Sequence, residues 1–484
     1  MACMKRLWLL LALPLVVSLA PRSLLPHDEG FYALQARWIL ESGDWLTPQS
    51  WGAPLYDRTI GVQWLIAASV HLFGLNPVGI HLPIWLCAVA AATLTWRLSR
   101  SRVATALLVL TPLWFSYSQM ATQDMPLLAL ELLGLWGLQT RRPWAAGLWL
   151  GPAFLIKGFM AVLPALAMLP LLLLERRALL RDWRFWAALV LGWLPPLLWL
   201  ALSLQVHGLA VVSQLWGKLL WLSGSQTFAQ PPIYYLWNLP ANTAPWGLLA
   251  PAGAVLLWQR WRRGALTRAQ LLLWLGYPLL LLLLLSCFKT KTPYYGLQLT
   301  PFVAYAAAQA LEAWSELKGG LWRWLRLPPV LLGGSLVVAA LAAPLPPLGT
   351  PAAGWLRAAA LLLGGCWLAS GWRPAGRQRL LLVLAGPYLA LVCLLQGGVF
   401  IDHSPAVRLR LAQPQVQAAL ARGQVHVLAE GPIGDDAQKE LIVLALGAPQ
   451  LGPLHSDPGS LPTGVAVWQL QGNHWQLHPA WPTP

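Results

Sequence analysis

Acidic residues are scarce in this 484-residue chain: 17 Asp and Glu stand against 33 Lys and Arg, and charged residues make up only 10% of the whole. That little charge does not cover a soluble surface of ordinary composition. Cysteine is sparse too. Cys3, Cys87, Cys287, Cys366 and Cys393 show no CxxC or Cys/His spacing, which excludes a disulfide framework and a zinc site of the usual kinds. No GxGxxG or P-loop pattern occurs, so no nucleotide-phosphate cradle is visible. The excess of +16 is not gathered into a basic stripe interleaved with aromatics, and nucleic acid is not read as a partner.

Apolar residues fill the space that charge leaves. They make up 57% of the chain, with 31 Trp and leucine runs such as Leu171–Leu174 and Leu279–Leu285. This is the composition of an all-α polytopic membrane protein. Basic residues cluster in short loops at 97–102, 141–142, 175–184, 260–268, 318–326 and 373–379, with Lys5 and Arg6 ahead of the first apolar run. The positive-inside rule puts these on the cytoplasmic side, and with them the N-terminus. Met1–Ala20 has the ingredients of a secretory signal, but the apolar run continues to about Leu25 with only Arg22 interrupting it, and it reads as a retained first span. The loops then require spans at about 7–25, 77–96, 103–120, 125–140, 143–160, 161–174, 185–205, 240–258, 269–288, 294–313, 327–346, 354–371 and 380–400. That is about 13 transmembrane helices, with the C-terminus outside. A further apolar stretch, Ile60–Phe73, would break the parity. With a helix at Gly30–Leu40 it is read as lying in the outer interface.

Two domains are expected. Residues 1–400 form the transmembrane body, with a first outer loop at 26–76. Residues 401–484 differ in composition: a helix at Ala406–Arg422 and strands at 424–428 and 465–470 read as a small C-terminal α/β domain outside the membrane. Its His426, His455, His474 and His478 are scattered and are not read as a metal site.

In so uncharged a chain, ionisable residues at the membrane edge need a reason. Asp28 and Glu29 are adjacent in His27-Asp28-Glu29-Gly30-Phe31-Tyr32, and Asp124 precedes Met125-Pro126. Asp28 suits an N-cap for the interfacial helix, and Asp124 suits a cap for the next span, since Pro favours a first helical turn. A capping carboxylate can still keep one oxygen for chemistry. Asp57-Arg58 precedes the interfacial stretch; Lys289, Lys291 and Tyr294 lie in one outer segment; Lys157 and Lys218 add two more outer cations. Each cation has a plain role in snorkelling or anchoring at the interface. Their common side is the stronger observation: carboxylates able to accept a proton, and cations able to hold a phosphate, share one face.

The stretch from Pro26 to Ala33, then Leu40–Pro48, then Gly52-Ala53-Pro54-Leu55-Tyr56-Asp57-Arg58, resembles the first outer loop of the GT-C type glycosyltransferases. The nearest kinds are the protein O-mannosyltransferases and the bacterial transferases that put aminoarabinose on lipid A. Asp124-Met125-Pro126, Lys157-Gly158, Pro245-Trp246 and Lys291-Thr292-Pro293-Tyr294-Tyr295 extend the resemblance over roughly the first 315 residues. It implies an enzyme that moves a sugar from a polyprenyl-phosphate donor to a hydroxyl on a lipid, glycan or protein acceptor. The membrane implied is the plasma (inner) membrane, and the displacement is inverting. Asp28 matches the catalytic carboxylate, Glu29 its neighbour and Asp124 a second acidic position. Arg58, Lys289, Lys291, Tyr294, Lys157 and Lys218 are the candidates to bind the donor phosphate. Relatives usually read Glu-Lys-Pro-Pro where this chain reads Asp57-Arg58-Thr59-Ile60, so an Arg stands where a Lys is usual. No cofactor is required, although Asp57 and the other carboxylates leave room for a divalent cation. Of the rival readings, a lipid-linked sugar transporter or flippase would call for charged residues along a path through the spans and for inverted repeats, and neither stands out; a structural, binding or catalytically diverged membrane protein explains the tail but not the clustered loop carboxylates.

Overall fold

The computed structural model describes residues 22–224, 228–344 and 351–482, so the greater part of the expected first span lies outside the described residues. The chain is an integral membrane protein. Among the described residues, seven helical stretches are long and apolar enough to cross a membrane: Pro77–Ser99, Pro143–Glu175, Trp183–His207, Arg268–Cys287, Trp322–Ala342, Ala352–Ser370 and Arg377–Gln396. The expected count of about 13 does not follow from length alone, because several expected spans are short or broken. Asp124–Thr140 and Trp246–Arg262 have 17 residues each, and Thr300–Ser315 has 16. The expected span 103–120 is two short helices, Arg102–Val109 and Pro112–Ser118, interrupted before Pro112.

Pro143–Glu175 contains a reversal that length does not reveal. Its helix stops at Lys157, and Gly158 takes φ +54°, which only glycine adopts cheaply. Gly147 lies against Phe185 and Ala188, and Gly151 against Gly192. Residue numbers rise together on both helices, so the chain from 143 to 157 runs parallel to Trp183–His207. Val162–Glu175 must therefore run back between them, which places Lys157-Gly158 at one end of the bundle and Glu175 at the other. Asp124–Thr140 runs opposite to its successor: Gly134 meets Trp149 and Gly137 meets Ala146. Asp124 and Lys157 are thereby brought to the same end.

The first loop is helical where apolar periodicity expected it. Phe31–Ser42 ends at Gly43, φ +71°, a left-handed C-cap. Gly61–Phe73 has 13 residues, too few to cross, and packs among its neighbours. A Cβ at Gly61 would come within 2.6 Å of the Leu155 carbonyl oxygen, so the absence of a side chain lets Arg58 and Thr59 approach the Lys157 turn. The loop is also tied to the end of Trp183–His207. The indole of Trp199 donates to the Leu46 carbonyl at 3.0 Å, and Thr47 Oγ1 lies 2.9 Å from His207 Nε2.

The tail is an α/β unit. Its four-stranded sheet has the spatial order Leu451–His455, Val425–Leu428, Ala466–Gln471, His474–His478; the first three are parallel and the last antiparallel. The expected strands fall on the two central positions, and the expected helix 406–422 is two, Pro405–Leu411 and Pro414–Leu420, because Pro414 starts a new first turn. His426 and His455 are not scattered: their rings approach to 2.9 Å (Nδ1 to Nε2), and His455 Nδ1 meets Ser460 Oγ at 2.7 Å. The unit docks on the first loop. Arg37, buried, donates to the Ala445, Ala448 and Pro449 carbonyls, closing the C-terminal end of Asp435–Gly447. Phe31, Leu34 and Trp38 bury against Ile442 and Ala445. Burial of large apolar side chains stabilises by roughly 1.5–3 kcal/mol each.

Candidate active site

Asp28 sits in a π-turn, Pro26–Gly30, that runs straight into Phe31–Ser42. It makes no side-chain cap, so the capping role does not explain it. Asp124 likewise begins its helix without a capping hydrogen bond. Its carboxylate is instead paired with the ammonium of Lys157 across the helix reversal. Burial pushes the Asp28 carboxyl above the usual aspartate range; the nearby Asp124 adds to this, while Arg58, Lys157 and His27 oppose it. Two carboxylates and two cations therefore share one electrostatic neighbourhood.

Arg58 is held on two sides. Its guanidinium forks onto Asp57, with Nη2 to Oδ2 at 2.7 Å and Nε to Oδ1 at 3.0 Å. It lies over the rings of Tyr32 and Phe31, 5.0 and 5.4 Å from their centroids. Lys157 lies over Tyr294 and Tyr295 at 4.8 and 5.3 Å. Tyr117 tilts against Tyr294 with centroids 6.0 Å apart. Burial raises the phenol of Tyr32 well above its usual value, so it remains a neutral donor.

Glu29 is adjacent in sequence but differently placed. It is 1% exposed and paired with His81, which is equally buried. Its Oε1 also accepts from the Ala121 N–H at 3.0 Å, and Oε2 accepts from Leu25 N–H at 2.9 Å. The other ring nitrogen of His81 faces the Pro77 carbonyl at 2.6 Å and donates to it. Burial alone would raise the Glu29 carboxyl; His81 and the two backbone donors outweigh it and hold the group below its ordinary range. Glu29 thus joins the segment before Asp28, the helix Pro77–Ser99 and the turn before Asp124. Both of its carboxylate oxygens are engaged within the protein. A lowered carboxyl stabilises above its unfolded-state value, and that stability is lost as pH falls through the lower folded-state value. Glu29→Gln takes the charge from a buried carboxylate that accepts from the Leu25 and Ala121 N–H groups and meets His81, and is expected to cost about 1–3 kcal/mol of stability. A melting curve of the purified protein measures it; an unchanged midpoint would remove Glu29 from this role.

The remaining cations are dispersed. Lys291 is 4% exposed, and its ammonium bonds the carbonyls of Gln230 (3.1 Å) and Phe288. Segments 228–230 and 289–291 pair through backbone hydrogen bonds, which makes Lys291 a staple between two loops. Lys289 is exposed on the same segment. Lys218 lies 4.4 Å over the Trp221 ring; burial lowers its pKa, partly offset by Asp57, so it stands near the Asp57–Arg58 pair. Among the described residues no group of three or more His, Cys, Asp or Glu is placed to hold a metal ion, and Asp57 is engaged by Arg58. Tyr32, Tyr117 and His81 join this neighbourhood without a local motif that singles them out. A histidine inside the apolar run 77–96 was the available signal for a buried acidic partner.

The sequence matches the family model described as dolichyl-phosphate-mannose-protein mannosyltransferase over residues 57–199. It is 32% identical over 58% of its length, and 54% of the relative's, to undecaprenyl phosphate-alpha-4-amino-4-deoxy-L-arabinose arabinosyl transferase 1 of Pseudomonas fluorescens (strain Pf-5). It is 26% identical to the corresponding transferase of Serratia proteamaculans, over 67% of this chain and 62% of that one. The chain spans about half the length of the first of these curated relatives. The crystal structure of ArnT from Cupriavidus metallidurans bound to undecaprenyl phosphate superposes with a TM-score of 0.70, covering 96% of this chain and 93% of that one at 19% identity. The apo ArnT structure gives 0.67. The fold is that of ArnT, and the resemblance to GT-C type glycosyltransferases of the mannosyltransferase and aminoarabinose transferase kinds holds.

Proposed function

We propose that this chain is a membrane glycosyltransferase that moves a sugar from a polyprenyl-phosphate donor to an acceptor at the outer face of the plasma (inner) membrane. The donor is an undecaprenyl-phosphate-linked aminopentose, as the names of the relatives have it. The single observation that supports this most is the junction of Asp28, Asp124, Lys157 and Arg58 at one end of the bundle. In this reading the N-terminus is cytoplasmic, and the first loop and the tail unit, residues 401–484, lie outside. Asp28 accepts the proton of the acceptor O–H as that oxygen attacks the anomeric carbon. The bond from that carbon to the donor phosphate breaks, and its electron pair leaves with the prenyl phosphate. Arg58 holds the departing charge, with Lys157 and the phenols of Tyr294 and Tyr295 beside it. Asp124 fixes Lys157, and Glu29 fixes the turn that carries Asp28. One displacement inverts the anomeric centre.

The donor set does not fit a divalent cation, since Asp57 is forked by Arg58 and Asp124 is paired with Lys157. Sugar transfer is therefore expected to proceed in EDTA at the same rate as without it. The test is the purified protein in lipid nanodiscs with undecaprenyl-phosphate 4-amino-4-deoxy-arabinose and lipid A, with product read by mass spectrometry. Release of undecaprenyl phosphate with formation of glycosylated acceptor is the expected result. No turnover with a protein that binds the donor overturns the reading, and a loss in EDTA restored by one cation overturns the metal-free part.

A further inference from the structure

A second charged site lies at the opposite end of the bundle. Asp124–Thr140 has 17 residues, so its far end stands about 25 Å from the carboxylate cluster at 1.5 Å per residue. There a cavity of about 380 Å³ is lined by Arg141, Glu175, Arg176, Arg177 and Asp182, with Leu174 at its apolar side. Its acids are committed elsewhere: Glu175 faces Arg268 at 3.5 Å, and Asp182 caps the Arg184 N–H at 2.9 Å. Arg176 is fixed, with Nε donating to the Leu138 carbonyl at 2.9 Å and Nη1 to its neighbour's carbonyl at 3.0 Å. Burial lowers its pKa and the nearby Arg141 lowers it further, with Glu175 opposing only in part, so two guanidinium groups face one cavity and repel. Among the described residues the side chains of Arg141 and Arg177 have no hydrogen-bond or ion-pair partner. Immediately beside them the surface is apolar and exposed: Leu173 is 51% exposed, Trp183 70% and Trp186 50%. Tryptophan at such a place marks the membrane-water boundary.

We propose that this cavity binds the phosphodiester head group of an anionic phospholipid, with Arg141 and Arg177 on the phosphate and the acyl chains along Leu173, Leu174 and Trp186. The unbalanced cations supply charge recognition, and the apolar flank distinguishes a lipid from a soluble anion. The site is remote from sugar transfer, and its test does not read that activity.

Native mass spectrometry of the detergent-solubilised protein, titrated with phosphatidylglycerol, phosphatidylcholine or inorganic phosphate, decides it. The wild type is expected to retain phosphatidylglycerol in preference to phosphatidylcholine. R141Q/R177Q is expected to weaken that retention by roughly thirtyfold, as two surface cations at about 1 kcal/mol each imply. R262Q/R263Q, which removes two exposed arginines of another loop, is the matched control and is expected to change it less than threefold. Equal loss in both pairs overturns the proposal in favour of diffuse attraction. Equal retention of phosphatidylcholine overturns it too. So does saturation by inorganic phosphate without retention of lipid. All three proteins are compared at equal melting temperature, so misfolding does not imitate the expected result.

Discussion

Asp28→Asn is expected to lower the rate of sugar transfer by about 10² to 10⁴ while leaving the protein folded and no less stable at neutral pH. The two halves of that result have one cause. Burial, with Asp124 nearby, raises the Asp28 carboxyl, which means that the folded protein holds its ionised form at a cost. A raised carboxyl contributes stability below its unfolded-state value of about 3.9, and this is lost as pH rises through the folded-state value. At neutral pH the wild type has already lost it, and Asn removes the charge responsible. The same shift is expected to set the acidic limb of the wild-type pH-rate profile: activity should fall as Asp28 takes up its proton, at a pH above that of an ordinary aspartate. The checks are donor turnover, a melting curve and the profile on the same preparations. A variant with near wild-type turnover would leave Asp28 without a catalytic part. A variant that fails to fold would give it a structural one. Glu29→Gln should show the opposite pattern at the next residue, with stability lost first.

That contrast marks where the sequence was legible. Two adjacent carboxylates in a chain with little charge drew attention to one turn, and the fold places Asp28 near Asp124, Arg58 and Lys157 and turns Glu29 towards His81. Their division of labour depends on His81, 52 residues away, and on the Ala121 backbone, and neither contact has a local signature. Basic loops and apolar runs located most helices, because burial in lipid imposes a length and loop charge imposes a side. The reversal at Lys157-Gly158 was also readable as the turn between two short spans, and the parallel packing of Gly147 and Gly151 on Trp183–His207 agrees with a reversal there. Which cations meet was not readable. Outer-face position grouped Lys291 with Arg58, but the pairing of 228–230 with 289–291 gives the Lys291 ammonium two carbonyls to satisfy. The helix and strand patterns of the tail made its α/β character readable. Its attachment through Arg37 to the very helix that follows Asp28 was not readable, since an arginine inside a helix reads as an exposed one.

Arg58 therefore carries the second large expected effect, and Lys291 serves as its comparison. Arg58→Ala is expected to lower donor kcat/KM by roughly a hundredfold or more. Truncating a desolvated cation that meets a departing phosphate costs about 2–5 kcal/mol, and a hundredfold corresponds to about 2.7 kcal/mol. A cation that only anchors the chain at an anionic surface is worth about 1 kcal/mol. Arg58→Lys keeps the charge but loses the fork to Asp57 and the stacking on Tyr32 and Phe31, so it should recover only part of the rate. Lys291→Met is expected to change donor kinetics by less than about threefold and to lower the melting temperature, because its ammonium is already spent on Gln230 and Phe288. Donor titration of the three variants in one assay separates these outcomes. A change below threefold in Arg58→Ala would reduce Arg58 to an anchor. A hundredfold loss in Lys291→Met would move the donor phosphate away from the first loop, to the segment that precedes Tyr294.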